Sequence, residues 1–160
     1  MKQFLVSTAI FTLVLLGIGG ATAKNGIARS AAPPQTEMGD DAIPSYHAHP
    51  PHEPLPATLD PKLFDDALTQ NIYAMAAKEK AVLYQQPCYC HCDRSVGHKS
   101  LLDCYVDRHA TSCATCKQEA AYAYEQTKKG KSPAQIRAGI IRGDWKKVDM
   151  TRYDSATGAK

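Results

Sequence analysis

The chain has 160 residues, and its 19 lysines and arginines against 16 aspartates and glutamates give a formal net charge of +3. This excess is spread along the chain, with no basic run longer than a lysine pair, so the sequence lacks the electrostatic footprint of a nucleic-acid-binding protein. It also contains neither a serine nucleophile elbow nor a glycine-rich phosphate loop, which argues against a serine hydrolase or a phosphate-loop enzyme.

The first 23 residues have the pattern of a secretory signal peptide. A basic start at Lys2 is followed by an apolar run over residues 4–18 and by the small-residue triplet Ala21-Thr22-Ala23. The run is interrupted by hydroxyl side chains and is shorter than the roughly 20 residues of a spanning helix. We therefore expect residues 1–23 to be removed, leaving an extracytoplasmic chain, periplasmic or secreted, with no stable membrane span.

Residues 24–59 are predicted to form a flexible, partly extended arm, because seven of the ten prolines lie there and each removes a backbone donor. The arm also carries His47, His49 and His52, and three imidazoles so close together can bind a metal ion loosely. A polar spacer that happens to contain histidine is the favoured interpretation of these three. The last residues, 149–160, are predicted to be a disordered polar tail.

The remaining segment, residues 60–148, is predicted to be a small all-α domain of about four helices. The first helix is expected to run from an N-cap at Asp60 to about Tyr84, because apolar residues recur at helical spacing and Pro87 forbids continuation. A second, short helix is expected after Ser100, which has the hydroxyl of an N-cap residue.

The two later helices have clearer boundaries. One is expected from Cys113 to about residue 129, capped by Ser112 and ended by Gly130. The other begins with Ser132-Pro133, where an N-cap, a proline at the first helical position and a capping-box glutamine at position 135 coincide. No alternating strand pattern stands out, which supports the all-α class.

All six cysteines lie between positions 88 and 116, and histidines are interleaved with them. Thiolates with imidazoles are the ligands preferred by copper and zinc, so the cluster predicts a site for a soft or borderline metal ion, Cu or Zn. The candidate ligands are Cys88, Cys90, Cys92, Cys104, Cys113, Cys116, His98 and His109. In an extended backbone the three thiols of the Cys88–Cys92 segment would share one side, because side chains alternate.

Two other functions use the same cysteines. In a thiol–disulfide redox protein, Cys113 and Cys116 would exchange electrons, and Cys113 at the helix start would be the attacking thiolate because the helix dipole lowers a cysteine pKa. In a scaffold, three disulfides would hold the domain as a subunit of a larger envelope complex, as is common for exported proteins with an even number of cysteines. The spacing alone does not choose among the three.

Three blocks of the sequence resemble a known bacterial family. They are Pro87-Cys88-Tyr89-Cys90-His91-Cys92, then residues 97–104 ending at Cys104, then His109 with Cys113-Ala114-Thr115-Cys116-Lys117-Gln118-Glu119-Ala120. The chain is similar here to the PCYCGC-motif proteins, and more closely to the CYCXC-type (seleno)proteins, over about residues 43–145. His91 occupies the position where the PCYCGC group has glycine.

The resemblance implies an exported bacterial protein with a cysteine-centred role, but it supplies no specific activity. Relatives in the PCYCGC group are often lipoproteins, whereas this chain lacks the lipobox cysteine. Selenocysteine can occur in such proteins and would be wasteful in a structural bridge, so the resemblance favours metal binding and redox chemistry over stapling.

Overall fold

The structure is a computed structural model that describes residues 42–155. Within this range the chain forms short helices joined by turns and contains no strand, which confirms the all-α class. The α-helices are α1 (Ala67–Lys78), α2 (Lys80–Leu83), α3 (Cys92–Ser95), α4 (Ala114–Lys128) and α5 (Pro133–Ile141). The 3-10 helices are Pro61–Leu63, Leu101–Tyr105, His109–Thr111, Asp144–Lys147 and Met150–Tyr153.

The prediction of one continuous helix from residue 60 to 84 was wrong. Asp60 caps only a 3-10 turn, and α1 starts after a second N-cap, Asp66, whose carboxylate accepts a hydrogen bond of 2.7 Å from the Thr69 amide. The helix then breaks at Glu79, whose φ of −110° and ψ of 21° are not helical. The predicted end before Pro87 is confirmed, because α2 stops at Leu83.

Helix α4 runs close to its predicted bounds, with one difference at its start. The N-cap is Cys113 rather than Ser112, and its sulfur accepts a hydrogen bond of 3.2 Å from the Cys116 amide. Just beyond the helix, Gly130 adopts a φ of +75°, a left-handed conformation that glycine reaches without steric cost and that stops the helix as predicted.

Helix α5 has the predicted capping box. The Gln135 amide donates to the Ser132 hydroxyl at 3.3 Å, and the Gln135 side chain accepts from the Ser132 amide at 3.0 Å. On the apolar side of α5, Ile136 and Ile140 are buried, whereas Ile141 is 39% exposed.

The core lies where α1 and α4 pack together. Tyr73 of α1 meets Tyr105 edge to face, with ring centroids 5.1 Å apart. Further fully buried side chains come from α1, the segment after it, the Leu101–Tyr105 turn and α5: Ile72, Met75, Leu83, Leu101, Leu102, Ile136 and Ile140. Four cysteines are buried in the same core: Cys88, Cys92, Cys104 and Cys116.

Close packing between α4 and α5 depends on Gly139. A methyl group at this position would overlap the hydroxyl and the ring of Tyr122. We expect Gly139→Ala to lower the free energy of unfolding by about 1–3 kcal/mol, the usual cost of overpacking, in urea denaturation. Adding Tyr122→Phe should recover part of the loss, because the hydroxyl makes the tightest contact; an unchanged midpoint for Gly139→Ala would contradict this packing.

The structure describes the arm and the tail only in part, because residues 1–41 and 156–160 lie outside the described range. The predicted signal peptide, residues 1–23, lies wholly outside it. Residues 42–59 contain no helix or strand, and they contact the helical domain through hydrogen bonds from Ser45 N to Asp93 Oδ2 (3.0 Å) and from Leu59 N to Tyr105 O (2.9 Å). In residues 42–155 no helix is long and apolar enough to cross a membrane.

The disordered tail does not begin at residue 149 as predicted. Met150–Tyr153 forms a 3-10 turn in which the Tyr153 ring is buried and its hydroxyl donates to Glu125 at 2.6 Å. The Asn71 side chain also donates to the carbonyls of Tyr153 and Ser155, at 2.8 and 2.7 Å. One aromatic ring in a polar segment has no periodicity, so no pattern in the sequence predicts that this segment packs against the domain.

Candidate metal centre

Three segments distant in sequence bring the cysteines together. The turn between α2 and α3 carries Cys88 and Cys90, and α3 begins with Cys92; the Leu101–Tyr105 turn carries Cys104; and the N-cap and first turn of α4 carry Cys113 and Cys116. The Asp103 carboxylate fixes the second segment by accepting hydrogen bonds from the amides of Lys99 (2.6 Å) and Ser100 (3.2 Å).

The segment of three alternating thiols forms a tight turn and not an extended backbone. His91 N donates to Cys88 O at 3.1 Å, and His91 itself has a φ of +55° and a ψ of 34°. This left-handed residue reverses the chain so that Cys92 can begin α3. The sulfurs still converge: Cys90 lies 3.3 Å from Cys88 and 3.1 Å from Cys92.

The remaining sulfurs extend this contact network. Cys92 and Cys104 are 3.4 Å apart, Cys88 and Cys116 are 3.4 Å apart, and Cys116 lies 2.7 Å from Cys113. All six cysteines of the chain are free thiols, and no sulfur pair is at the roughly 2.05 Å of a disulfide bond. The scaffold with three disulfides is therefore not the arrangement found here.

Two histidines border the sulfur network. His98 Nδ1 lies 3.3 Å from the Cys104 sulfur, and His109 Nε2 lies 3.9 Å from the Cys90 sulfur. Their rings meet edge to face, with centroids 4.9 Å apart. Hydrogen bonding to Cys90 raises the pKa of His109, because a thiolate favours the charged imidazolium.

Seven of the eight candidate ligands form three overlapping groups, in each of which all ligand atoms lie within 4.8 Å of one another. The groups are Cys88, Cys90, Cys92 and Cys104; Cys90, Cys104, His109 and Cys116; and Cys92, His98, Cys104 and His109. Cys113 lies outside these groups but contacts Cys116. The cluster thus has the composition of a thiolate–imidazole metal site and could hold a metal ion.

The arm histidines are not among these groups. His47 stacks on Tyr84 with ring centroids 3.8 Å apart, and His49 and His52 are exposed. His91, the extra histidine between Cys90 and Cys92, is not among them either.

The thiols of the cluster do not ionise alike. Hydrogen bonding, above all with Cys104, lowers the pKa of Cys90 and brings that of Cys92 to about 2, whereas contact with Cys104 raises the pKa of Cys88. Adjacent buried thiols cannot all be charged together, so some stay protonated and donate hydrogen bonds to neighbouring thiolates. A bound cation would displace those protons and turn the remaining thiols into ligands.

Cys113 differs from the expectation for an attacking thiolate. A hydrogen bond with Cys116 lowers its pKa, but a hydrogen bond with Cys90 and burial outweigh this effect, so the pKa is raised overall. The position at the helix start was predicted from sequence; the neighbouring Cys90 sulfur, which reverses the effect of the helix, was not.

Glu119 is a buried ionisable residue beside the cysteine cluster that the sequence interpretation did not single out. It lies one helical turn after Cys116 and is fully buried; one carboxylate oxygen accepts from the Tyr89 amide at 2.9 Å, while Oε2 has no hydrogen-bond partner. Burial raises the pKa of Glu119 to about 8. Glu119 lies three residues after Cys116, on the helix face that also carries Ala120 and Ala123. This spacing is the sequence signal that could have placed its side chain beside the thiols.

The sequence model of one family, described as a protein of unknown function with PCYCGC motif, matches residues 10–148. No curated protein and no solved structure matches the chain.

The motif's glycine falls on His91, the one non-glycine residue with a positive φ within residues 42–155. Glycine adopts this conformation without a steric penalty from a Cβ atom, which explains why the family motif has glycine at this position. Histidine at position 91 adopts the same conformation at a cost in backbone strain. Because the match covers most of its length and includes every cysteine, the chain belongs to the family of proteins of unknown function with a PCYCGC motif.

Proposed function

We propose that this chain is an extracytoplasmic bacterial protein that binds Cu(I) or Zn(II) through cysteine thiolates, with His98 and His109 as additional ligands. The observation that carries the proposal is the convergence of six free thiols from three segments, with the imidazoles of His98 and His109 beside them, in one network. Export rests on the signal-peptide pattern of residues 1–23.

The donor set suits these two ions. Thiolate sulfur selects soft and borderline ions such as Cu(I) and Zn(II), whereas Mg(II) and Ca(II) prefer oxygen. Partial burial of the sulfurs shields a bound ion from water. The function proposed for this donor set is the holding or transfer of a metal ion.

Thiol–disulfide exchange by Cys113 and Cys116 is the second candidate, favoured by their short sulfur–sulfur distance of 2.7 Å. It ranks below metal binding because the pKa of Cys113 is raised, and a protonated thiol is a poor nucleophile.

The test is a joint assay of metal and thiols on one sample. The full chain, made with its leader and purified anaerobically from the extracytoplasmic fraction, should contain bound copper or zinc together with six titratable thiols after denaturation. Metal-free protein with no thiols would instead identify a disulfide scaffold, a form suited to a subunit of an envelope complex. One readily reduced pair without metal would identify a redox protein.

Two histidine substitutions provide a matched comparison within the cluster. His109→Ala should weaken metal affinity by roughly tenfold or more, because it removes a ligand. His91→Gly restores the family residue outside the ligand groups and should leave affinity unchanged. Equal losses in both variants would argue against the assigned ligands.

A further inference from the structure

We infer that the cluster holds at least two metal ions joined by shared cysteine thiolates, and not a single ion. This inference rests on the proposed metal-binding function and specifies the kind of site. It starts from the number of donors: a four-coordinate ion uses four ligands, whereas six sulfurs and two imidazoles converge here.

The sulfur contacts do not separate into a site of four and a remainder. Cys88 and Cys90, both in the first ligand group, lie 3.3 Å apart. Cys116, outside that group, lies 3.4 Å from Cys88 and 3.5 Å from Cys90, as close as the members are to each other. An ion among the first four sulfurs would therefore leave a fifth sulfur in contact with its ligands.

The overlap of the groups indicates which residues would bridge. Cys104 belongs to all three groups, and Cys90, Cys92 and His109 belong to two each. A thiolate sulfur has several lone pairs and can bind two ions at once, whereas an imidazole nitrogen has a single lone pair and serves one ion. Cys104, Cys90 and Cys92 are thus the bridging candidates, and His98 and His109 are terminal ligands.

Charge leads to the same conclusion. One Zn(II) among six thiolates would leave four negative charges uncompensated, or leave thiols protonated and unused, in a site where four of the six cysteines are buried. Buried charge without compensation is strongly unfavourable. Two or more cations sharing sulfurs allow all the thiols to serve as ligands with less residual charge.

The experiment counts ions directly. The reduced, metal-free full chain is titrated anaerobically with Zn(II) alone and, in a separate arm, with Cu(I) alone, and native mass spectrometry resolves each loaded species. We expect at least two ions per chain in one or both arms, with the multiply loaded species appearing before the singly loaded one is complete. X-ray absorption should then show a metal–metal scattering shell.

Two variants locate the bridge. Cys104→Ser removes the sulfur common to all three groups and should limit the chain to one ion, whereas His91→Gly, which removes none of the assigned ligands, should keep at least two. If Cys104→Ser fails to fold, the number of ions bound by the wild-type chain and its metal–metal scattering shell still test whether the cluster holds more than one ion. A wild-type chain that stops at one ion in both arms overturns this inference but leaves metal binding intact; a chain that takes up no ion overturns both.

Discussion

Adding Zn(II) or Cu(I) to the reduced, metal-free chain is expected to raise its free energy of unfolding by about 4 kcal/mol when the free ion is about 1,000-fold above its Kd. The cysteine ligands come from three segments that meet only in the folded chain, and Cys104 and Cys116 are fully buried in the core. The unfolded chain therefore has no preformed site. Urea denaturation at fixed free metal concentration measures the change.

The serine variant at position 104 is the control for this effect. Cys104→Ser should show a much smaller gain from the same metal concentration, because the residue common to all ligand groups is gone. Superimposable unfolding curves of the wild-type chain with and without metal would show that the ions bind weakly or bind the unfolded chain equally well.

Replacing Glu119 with glutamine is expected to stabilise the metal-free chain at alkaline pH. Burial raises the pKa of Glu119 from 4.5 to about 8, so between these values the folded chain holds a proton that the unfolded chain releases. Stability therefore falls as pH rises through this window, and the full shift corresponds to roughly 3–5 kcal/mol. Glu119→Gln cannot lose a proton, and its amide oxygen can still accept from the Tyr89 amide.

The free energy of unfolding of the variant and of the wild type is measured across pH. The thiols titrate in both proteins, so their contribution to the difference largely cancels. The stability difference between Glu119→Gln and wild type should be smallest near pH 5 and should grow up to about pH 9. Glu53→Gln, which changes an exposed carboxylate in the arm, should follow the wild type. A pH-independent difference for Glu119→Gln would contradict the raised pKa.

The helix ends of this fold could largely be predicted from the sequence. The Ser132 and Gln135 capping box and the start of α4 at the Cys113 pair were predictable because a helix end is decided by a few adjacent residues. The break at Glu79 was not, because apolar residues keep helical spacing on both sides of it. Tertiary packing decides whether such a pattern forms one helix or two.

The site was predictable in composition but not in geometry. Clustering and residue type indicated a thiolate–imidazole site, yet the left-handed turn at His91 follows from a conformation that histidine rarely adopts. The raised pKa of Cys113 depends on Cys90, 23 positions earlier in the chain. Such effects arise only when distant segments meet, so spacing within one segment cannot reveal them.

The most direct test of metal binding by the thiols is extended X-ray absorption at the metal edge of the loaded full chain. We expect sulfur to dominate the first shell at about 2.3 Å, with nitrogen from imidazole as a minor component at about 2.0–2.1 Å. A first shell made of oxygen and nitrogen alone would contradict the proposal, because it would place the ion away from the six cysteines.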